Sequence, residues 1–356
     1  MPVVGIRCRV LRAPLHTPFI TALRSTTVLE SLLVEVLDEN GAHGIGEAPA
    51  VEVVTGQSLA SLQNCVDGPL RSVVMGRDAD DLVPLLHDVS RQVPGNPTAR
   101  AAVDVALHDL AARRRGLSLP RFLGGTKLQV RTDVTVSAGE GGRLAAVARD
   151  RVADGFDVLK VKVGTDPVTD VDRVLAVRAA IGPAVTMRLD ANQGWTPQEA
   201  VRVLGRLEDA GALVELVEQP VTAADIDGLS WVRHRVQTPV MADESVFGLR
   251  DLVTVISKDA ADLVNIKLAK AGGLLPARAL LELARAHGLG TMVGSMMEGP
   301  VGVGAAASLA AVHGTTVVSD LDAAWWLAGP TLPGGLRYES AVVHLPDSPG
   351  LGVGRL

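Results

Sequence analysis

The stretch Val158-Leu159-Lys160-Val161-Lys162-Val163 decides the reading of this chain. It is short and β-branched, as a buried strand is. Side chains alternate along a strand, so Lys160 and Lys162 share one face and Val161 and Val163 the other. With helices over the valine face, both lysines point toward a barrel axis. Solvated lysines on an edge strand are the alternative, but like charges two apart on a buried face are costly without counter-charges. Comparable runs lie at steady spacing around it: Arg131–Val136 before, then Val185–Asp190, Val214–Glu218, Val240–Asp243, Leu263–Lys267, Thr291–Gly294 and Thr316–Ser319. Helical segments such as Gly142–Asp154, Asp170–Ala180, Pro197–Ala210 and Pro276–His287 fall between them. This alternation predicts parallel strands with helical crossovers, and eight units predict an α/β fold, a (β/α)8-type barrel over residues 126–320. An open doubly wound sheet is the competing architecture, and the count of eight favours the barrel.

Charged residues close several of these strands. Asp190, Glu218 and Asp243 end three consecutive units, 28 and 25 residues apart, and Lys267 ends the next one. One strand-terminal Asp is often only a helix cap. Three in successive units, beside a lysine pair, form an all-oxygen set suited to a hard cation such as Mg2+. Strand six lies across a barrel from strand two, so Lys162 and Lys267 flank that ion from opposite sides. This geometry suits removal of a proton from one face of a carbon and its return to the other. A proton α to a carboxylate is weakly acidic, and a divalent ion stabilises the charge that its removal creates. A neighbouring cation lowers a lysine pKa, so Lys160 and the metal would help Lys162 act as a base. The bland alternative is an ion-pair network in which Lys267 merely balances the carboxylates.

Upstream, Val3–Val10 and Val28–Leu37 read as strands around a polar loop, Pro14–Thr27. A turn at Asp38-Glu39-Asn40-Gly41 leads to a short strand near His43–Glu47, and Ser58–Gly116 reads as helical. Residues 1–125 are therefore expected to form an α+β domain. Residues 321–356, rich in Gly and Pro, are expected to return to it. The 356 residues carry 34 basic and 40 acidic side chains, a net charge of −6, which argues against a nucleic-acid binder. Hydrophobic residues make up 47%, enough to exclude general disorder. Cys8 and Cys65 form neither a metal cluster nor a disulfide framework. Arg7 and Arg9 interrupt the place where a signal peptide would be apolar, and no uncharged segment is long enough to span a membrane. A soluble cytoplasmic protein with no membrane partner is expected.

The motifs Lys160-Val-Lys162, Asp190-Ala-Asn-Gln-Gly-Trp195, Glu218-Gln-Pro220, Ala242-Asp243-Glu244-Ser245, Asn265-Ile-Lys267-Leu-Ala-Lys270-Ala-Gly-Gly273 and Gly294-Ser-Met-Met-Glu298 carry a resemblance. The chain resembles the enolase superfamily, muconate-lactonizing enzyme subgroup, over essentially its whole length. Within it the likeness is to dipeptide epimerases of the Ala-Glu type. The superfamily uses a Lys or His base beside Mg2+. The resemblance implies an enolase-like modified TIM barrel with residues 1–125 as an α+β capping domain, and one Mg2+ per subunit on Asp190, Glu218 and Asp243. It implies Lys162 and Lys267 as acid/base groups, with Lys160 beside the substrate carboxylate. Asp320-Leu321-Asp322 resembles the aspartate pair that binds a dipeptide's α-ammonium. In Thr21-Ala22-Leu23-Arg24, Arg24 resembles the arginine that pairs with an acidic side chain, although Ile20 departs from the basic residue expected beside it and Trp325-Trp326 add bulk near the aspartates. Thr135, Ser137, Met296 and Met297 would line the pocket. Lys270, Gly272 and Gly273 are assigned no catalytic role; a glycine pair at a helix start could bind an anion or simply permit a tight turn.

The implied activity is 1,1-proton transfer at the α-carbon of the C-terminal residue of a small dipeptide, L-Ala-D/L-Glu or a related Xaa-Glu or hydrophobic dipeptide, by a homo-oligomer. N-acylamino acid racemase, o-succinylbenzoate synthase and muconate cycloisomerase share the same centre and are the alternatives. Outside the superfamily stand a Schiff-base lysine aldolase and a non-catalytic metal-binding barrel. None of the eight histidines falls at the end of a predicted barrel strand, which disfavours a His base and a zinc site.

Overall fold

The computed structural model describes residues 1–21, 24–137 and 141–356. Its N-terminal sheet is antiparallel, in the order β1 (Val3–Ile20), β2 (Ser25–Asp38), β3 (His43–Pro49). The expected loop Pro14–Thr27 is largely hairpin instead. Pairing runs to Pro14–Val28 and resumes at Phe19–Thr26 after an irregularity. β1 is an edge strand, where proline can sit without breaking a central ladder. Ala22 and Leu23 of the expected arginine motif lie outside the described residues. Helix α1 (Pro97–Arg114) is buried along most of its length and packs on β3. The contact is backbone-close: a Cβ on Gly46 would meet the Ala102 carbonyl oxygen at 1.8 Å.

The barrel then proceeds as β4 (Val134–Val136), α2 (Gly141–Ala153), β5 (Val158–Lys162), α3 (Pro167–Ile181), β6 (Thr186–Asp190), α4 (Pro197–Asp209), β7 (Val214–Glu218), α5 (Ile226–Arg233), β8 (Val240–Ala242), α6 (Leu249–Ser257), β9 (Leu263–Lys267), the single turn α7 (Leu268–Ala271), α8 (Leu274–Ala286), β10 (Gly290–Gly294) and α9 (Pro300–His313). Sequence punctuates the helices. Asp166 and Asp225 cap α3 and α5, and Thr196 with Glu199 forms a capping box on α4. The seven strands form one parallel sheet in sequential order. Alternate residues fill the axis and the layer beneath the helices, and Leu159 and Val161 of β5, with Val163 just past it, join the main core.

Two predicted strands are altered. Of the first run, Arg131–Val136, only Val134–Val136 is barrel strand; Arg131 belongs to a separate strand, Gln129–Arg131, that pairs with Val342–His344 in a small antiparallel sheet. The eighth run forms no regular strand. Thr316 N–H donates to Thr291 O (2.8 Å) and Asp320 N–H to Val293 O (3.0 Å), while Asp133 N–H donates to Ser319 O (2.9 Å). The segment therefore closes the barrel between β10 and β4 by single bridges at Gly294–Asp320 and Thr132–Ser319. One reason is visible: the Val318 carbonyl accepts from the buried Arg188 guanidinium (2.7 Å). Beyond it the chain meets both parts. Ala328 N–H donates to Pro14 O (2.9 Å), and Leu351 N–H to Asp109 Oδ1 (2.6 Å) on α1. Among the described residues no helix is long and apolar enough to cross a membrane.

Candidate active site

The C-terminal ends of the barrel strands bring the charged residues together. Register pairs Lys162 with Asp190 and Asp190 with Glu218 on neighbouring strands. β5 and β9 stand four places apart in the sheet, so their lysines approach from opposite walls. Lys160, Lys162, Lys267, Asp320, Asp322 and Arg24 line one cavity. Thr135, Met296 and Met297 line it too, while Phe19 and Val53 of the N-terminal part close over it. Ser137 does not line it; just past the short strand β4, its Oγ is buried with no hydrogen-bond partner among the described residues. Among the described residues no histidine lines the cavity.

Each lysine has a carboxylate partner. Lys162 Nζ lies 2.6 Å from Asp190 Oδ2, and Lys267 Nζ lies 2.8 Å from Asp243 Oδ2. Lys160 donates to Asp320 Oδ2 and sits 3.6 Å from Glu218 Oε2 and 3.9 Å from Asp190 Oδ2. Burial works against the charge on Lys160, but Asp320 and Glu218 hold its pKa well above the ordinary value. Burial likewise opposes the charge on Lys267, and Asp243 with Glu218 holds it above the usual lysine range. Lys160 thus answers to a carboxylate cluster, a partner set that the lysine pair on its strand did not reveal.

The acidic trio is built to neutralise something. Burial and the charge of Asp190 push Glu218 up to about 8. Burial would raise Asp243 too, yet Lys267 and Lys270 hold it well below the carboxylate range. Among the described residues no three acidic, His or Cys side chains form a ready cage for a metal ion. The reason lies in the pairings: Asp190 and Asp243 each turn an oxygen to a lysine, and like charges separate. The donor set nevertheless fits a hard cation. It is all oxygen, its members repel one another, and Glu218 Oε2 is buried with no hydrogen-bond partner among the described residues.

Several residues that were given no role prove structural to the site. Lys270 Nζ lies 2.5 Å from Asp243 Oδ1 and donates to Asn265 O (3.1 Å). Asn265 Nδ2 donates to Glu218 Oε1 (2.7 Å). Gln219 Oε1 accepts from the N–H groups of Asp243 (2.9 Å) and Ser245 (3.1 Å), so it ties the end of β7 to the loop after β8. Asn192, Gln193 and Gln219 all have positive φ (41°, 71° and 36°), a local strain typical of functional loops. Beneath the cavity Arg188 joins Asp133 (3.0 Å) and Glu215 (2.5 Å). Its inward position, two residues before Asp190 on one strand face, is the signal that could have found it.

The aspartate pair is partly engaged. Asp320 Oδ2 receives Lys160, and Asp322 Oδ2 accepts from Thr135 N–H (2.8 Å) and Trp326 Nε1–H (2.9 Å). Among the described residues no hydrogen bond reaches Oδ1 of either. Trp325 and Trp326 do not stand in the cavity; they pack against His16, and Trp326 also against Phe19, on β1. Arg24 is half-buried at the rim, and burial lowers its pKa.

Fold and site together define a class: a capped parallel barrel whose strand ends gather lysines and carboxylates around one cavity. The chain belongs to the mandelate racemase/muconate lactonizing enzyme family, matching "Mandelate racemase / muconate lactonizing enzyme, N-terminal domain" over residues 4–124 and "Enolase C-terminal domain-like" over residues 143–354. It is 41% identical over 354 residues to the L-Ala-D/L-Glu epimerase of Bacillus subtilis (strain 168), covering 99% of this chain and 97% of that one. A substrate-liganded complex of the L-Ala-D/L-Glu epimerase from Bacillus subtilis superposes with a TM-score of 0.96, covering 99% of both chains. The L-Ala-D/L-Glu epimerase of Clostridium acetobutylicum is 39% identical over 343 residues, 96% of each chain. A dipeptide epimerase from Enterococcus faecalis V583, complexed with Mg and L-Leu-L-Tyr, is 35% identical with a TM-score of 0.95 over 100% of both chains.

Proposed function

We propose that this chain is a dipeptide epimerase that inverts the α-carbon of the C-terminal residue. One observation carries the reading: Lys162 and Lys267, from strands four places apart, line the same cavity as the Asp320 and Asp322 carboxylates. Asp190, Glu218 and Asp243 would hold one Mg2+ per subunit. When bound, that ion supplies charge stabilisation at the substrate carboxylate as the α-proton leaves. Lys162 takes or gives the proton on one face and Lys267 on the other. Lys160 draws the substrate carboxylate toward its own wall and balances the acidic cluster. The Oδ1 atoms of Asp320 and Asp322 receive the α-ammonium. Arg24, at the rim, pairs with an acidic side chain, and Met296 and Met297 pack against an apolar one. L-Ala-D/L-Glu and related Xaa-Glu or hydrophobic dipeptides are the substrates that this lining suits. Cys8 and Cys65 are both unpaired, which fits the reducing cytoplasm in which we place the enzyme.

The test is a dipeptide library in D2O with Mg2+, read by mass spectrometry. Deuterium should enter the C-terminal α-carbon of a subset of dipeptides. Incorporation into N-succinyl amino acids alone would move the assignment to N-acylamino acid racemase. An imine trapped by borohydride with a carbonyl substrate would move it to an aldolase.

A further inference from the structure

Helix α1 belongs to the N-terminal part of the chain, yet its side chains end on the segment that follows Lys267. Thr98 Oγ1 donates to Ala269 O (3.1 Å), inside the turn α7. Asp104 Oδ1 accepts from Leu274 N–H (2.7 Å), the first residue of α8. His108 Nδ1 lies 3.1 Å from the same Asp104 oxygen, and both side chains are buried. Burial disfavours a charged imidazole here, but Asp104 outweighs it and raises the His108 pKa.

The receiving segment is shaped for this carboxylate. Gly272 and Gly273 have φ of +97° and +122°, which L side chains rarely adopt. A Cβ on Gly273 would meet Asp104 Cγ at 2.3 Å. The glycine pair permits the tight turn, its own N–H groups both donating to Leu268 O (2.9 and 3.1 Å), and leaves room for a carboxylate from the chain's own N-terminal helix to cap α8 at Leu274 N–H. Neither external phosphate nor substrate is needed to explain it.

Two amines flank Asp243 beside this clasped turn: Lys267, at the end of β9 just before it, and Lys270, within it. Lys270 Nζ meets Asp243 Oδ1 at 2.5 Å, and Lys267 Nζ meets Asp243 Oδ2 at 2.8 Å. The opposite wall is held differently. Lys160 and Lys162 find their partners, Asp190, Glu218 and Asp320, on barrel strands and the closing segment. We propose that Asp104, braced by His108, is a positioning residue for Lys267 and Lys270, so that the capping domain sets one of the two proton-transfer amines and not the other. The inference rests on the proton-transfer reading above. A displacement of about 1 Å at a reacting group can cost on the order of 100-fold in rate, so a loosened clasp is measurable.

The experiment follows deuterium incorporated with retention into each epimer of a substrate dipeptide, using the full chain with Mg2+. This channel needs only the amine on the face that bears the proton. Lys162→Ala and Lys267→Ala first identify which epimer each amine serves. Asp104→Ala should then slow retention exchange of the Lys267-served epimer about ten-fold or more relative to the other. Gly273→Ala, which crowds the same contact from the other side, should skew exchange in the same direction. Asp104→Asn keeps the shape and an acceptor for Leu274 N–H, so it should give a smaller skew of the same sign and remains readable if the harsher variants fold poorly. Equal loss from both epimers, or no loss, in Asp104→Asn and whichever other variant folds overturns the inference while leaving the function intact. Lysine variants that fail to separate the epimers overturn the proton-transfer reading, and this inference with it.

Discussion

The two walls of the cavity hold their lysines in contrasting ways: Lys160 and Lys162 line one, and Lys267, backed by Lys270 behind Asp243, lines the other. On β5 the pair occupies alternate positions of one strand, so the pleat alone aims both amines inward. Their partners Asp190 and Glu218 sit on the next two strands, in register. On the other wall only Lys267 comes from a strand. Lys270 comes from the turn α7, and that turn is anchored to α1 by Thr98 and, through Leu274, by Asp104. One wall is thus set by the barrel alone, the other by the barrel together with an interface between two parts of the chain. Strand geometry is fixed by many ladder hydrogen bonds, whereas an interface depends on a few contacts. The second wall is therefore the one through which capping-domain changes can reach the chemistry.

The sharpest way to break this picture is to remove the amines. Lys162→Ala and Lys267→Ala should each abolish net epimerisation, a loss of roughly 10²- to 10⁴-fold. Each should still exchange the α-proton of one epimer with D2O, and the two should differ in which one. Loss of exchange from both epimers in both variants would mean that the walls do not act separately. Next in size is Arg188→Met, beneath the first wall. Arg188 and Asp133 are both fully buried, so the variant leaves Asp133 unpaired and should cost about 3–5 kcal/mol in chemical denaturation. It also frees the Val318 carbonyl, two residues before Asp320, so the folded fraction should lose affinity for the dipeptide ammonium. A stability change within about 0.5 kcal/mol would show that Arg188 is not the strut it resembles here.

What was legible follows the same division. The alternation in Lys160-Val161-Lys162 and the acids at Asp190, Glu218 and Asp243 could be read because a parallel strand ought to be apolar, so each charge there stands out. Lys270 could not, because a charged residue in a helical turn is ordinary. Asp104 was hidden for a different reason: its partner is the backbone of Leu274, which no side-chain pattern reports. The eighth strand misled because Thr316–Ser319 has strand-like composition while its pairing reduces to bridges. The hairpin through Pro14 misled in reverse, since its polar, proline-bearing sequence resembles a loop but lies on an edge that tolerates it.

Arg24 belongs to neither wall and tests whether substrate choice is separable from both. Arg24→Ala should reduce kcat/KM for acidic dipeptides by about 10- to 100-fold, the worth of a charged hydrogen bond, with apolar dipeptides little changed. A uniform decline across the library would place Arg24 in shaping the cavity and not in reading the side chain.

The smallest effect concerns Glu298, which follows β10 and feels the charge of Glu47 on β3. Glu47 accepts from Gly299 N–H (2.6 Å) and Gly302 N–H (3.0 Å) at the start of α9, while Glu298 Oε1 accepts from Met296 N–H (2.7 Å). Burial, then the charge of Glu47, pushes Glu298 up to about 8; Met296 N–H and Lys267 pull the other way. Its folded pKa lies above its ordinary value of 4.5, so between the two the folded chain binds more protons than the unfolded one. The resulting stability is complete below about pH 4.5 and is lost as pH rises through 8. Glu298→Gln keeps a neutral group of the same shape and removes that titration. Its melting temperature should gain on the native chain by a few degrees between pH 5 and 9, as expected for an effect on the order of 1 kcal/mol. The opposite slope would mean that Glu298 is ionised in the folded chain, with Met296 N–H and the charge of Lys267 outweighing burial and Glu47.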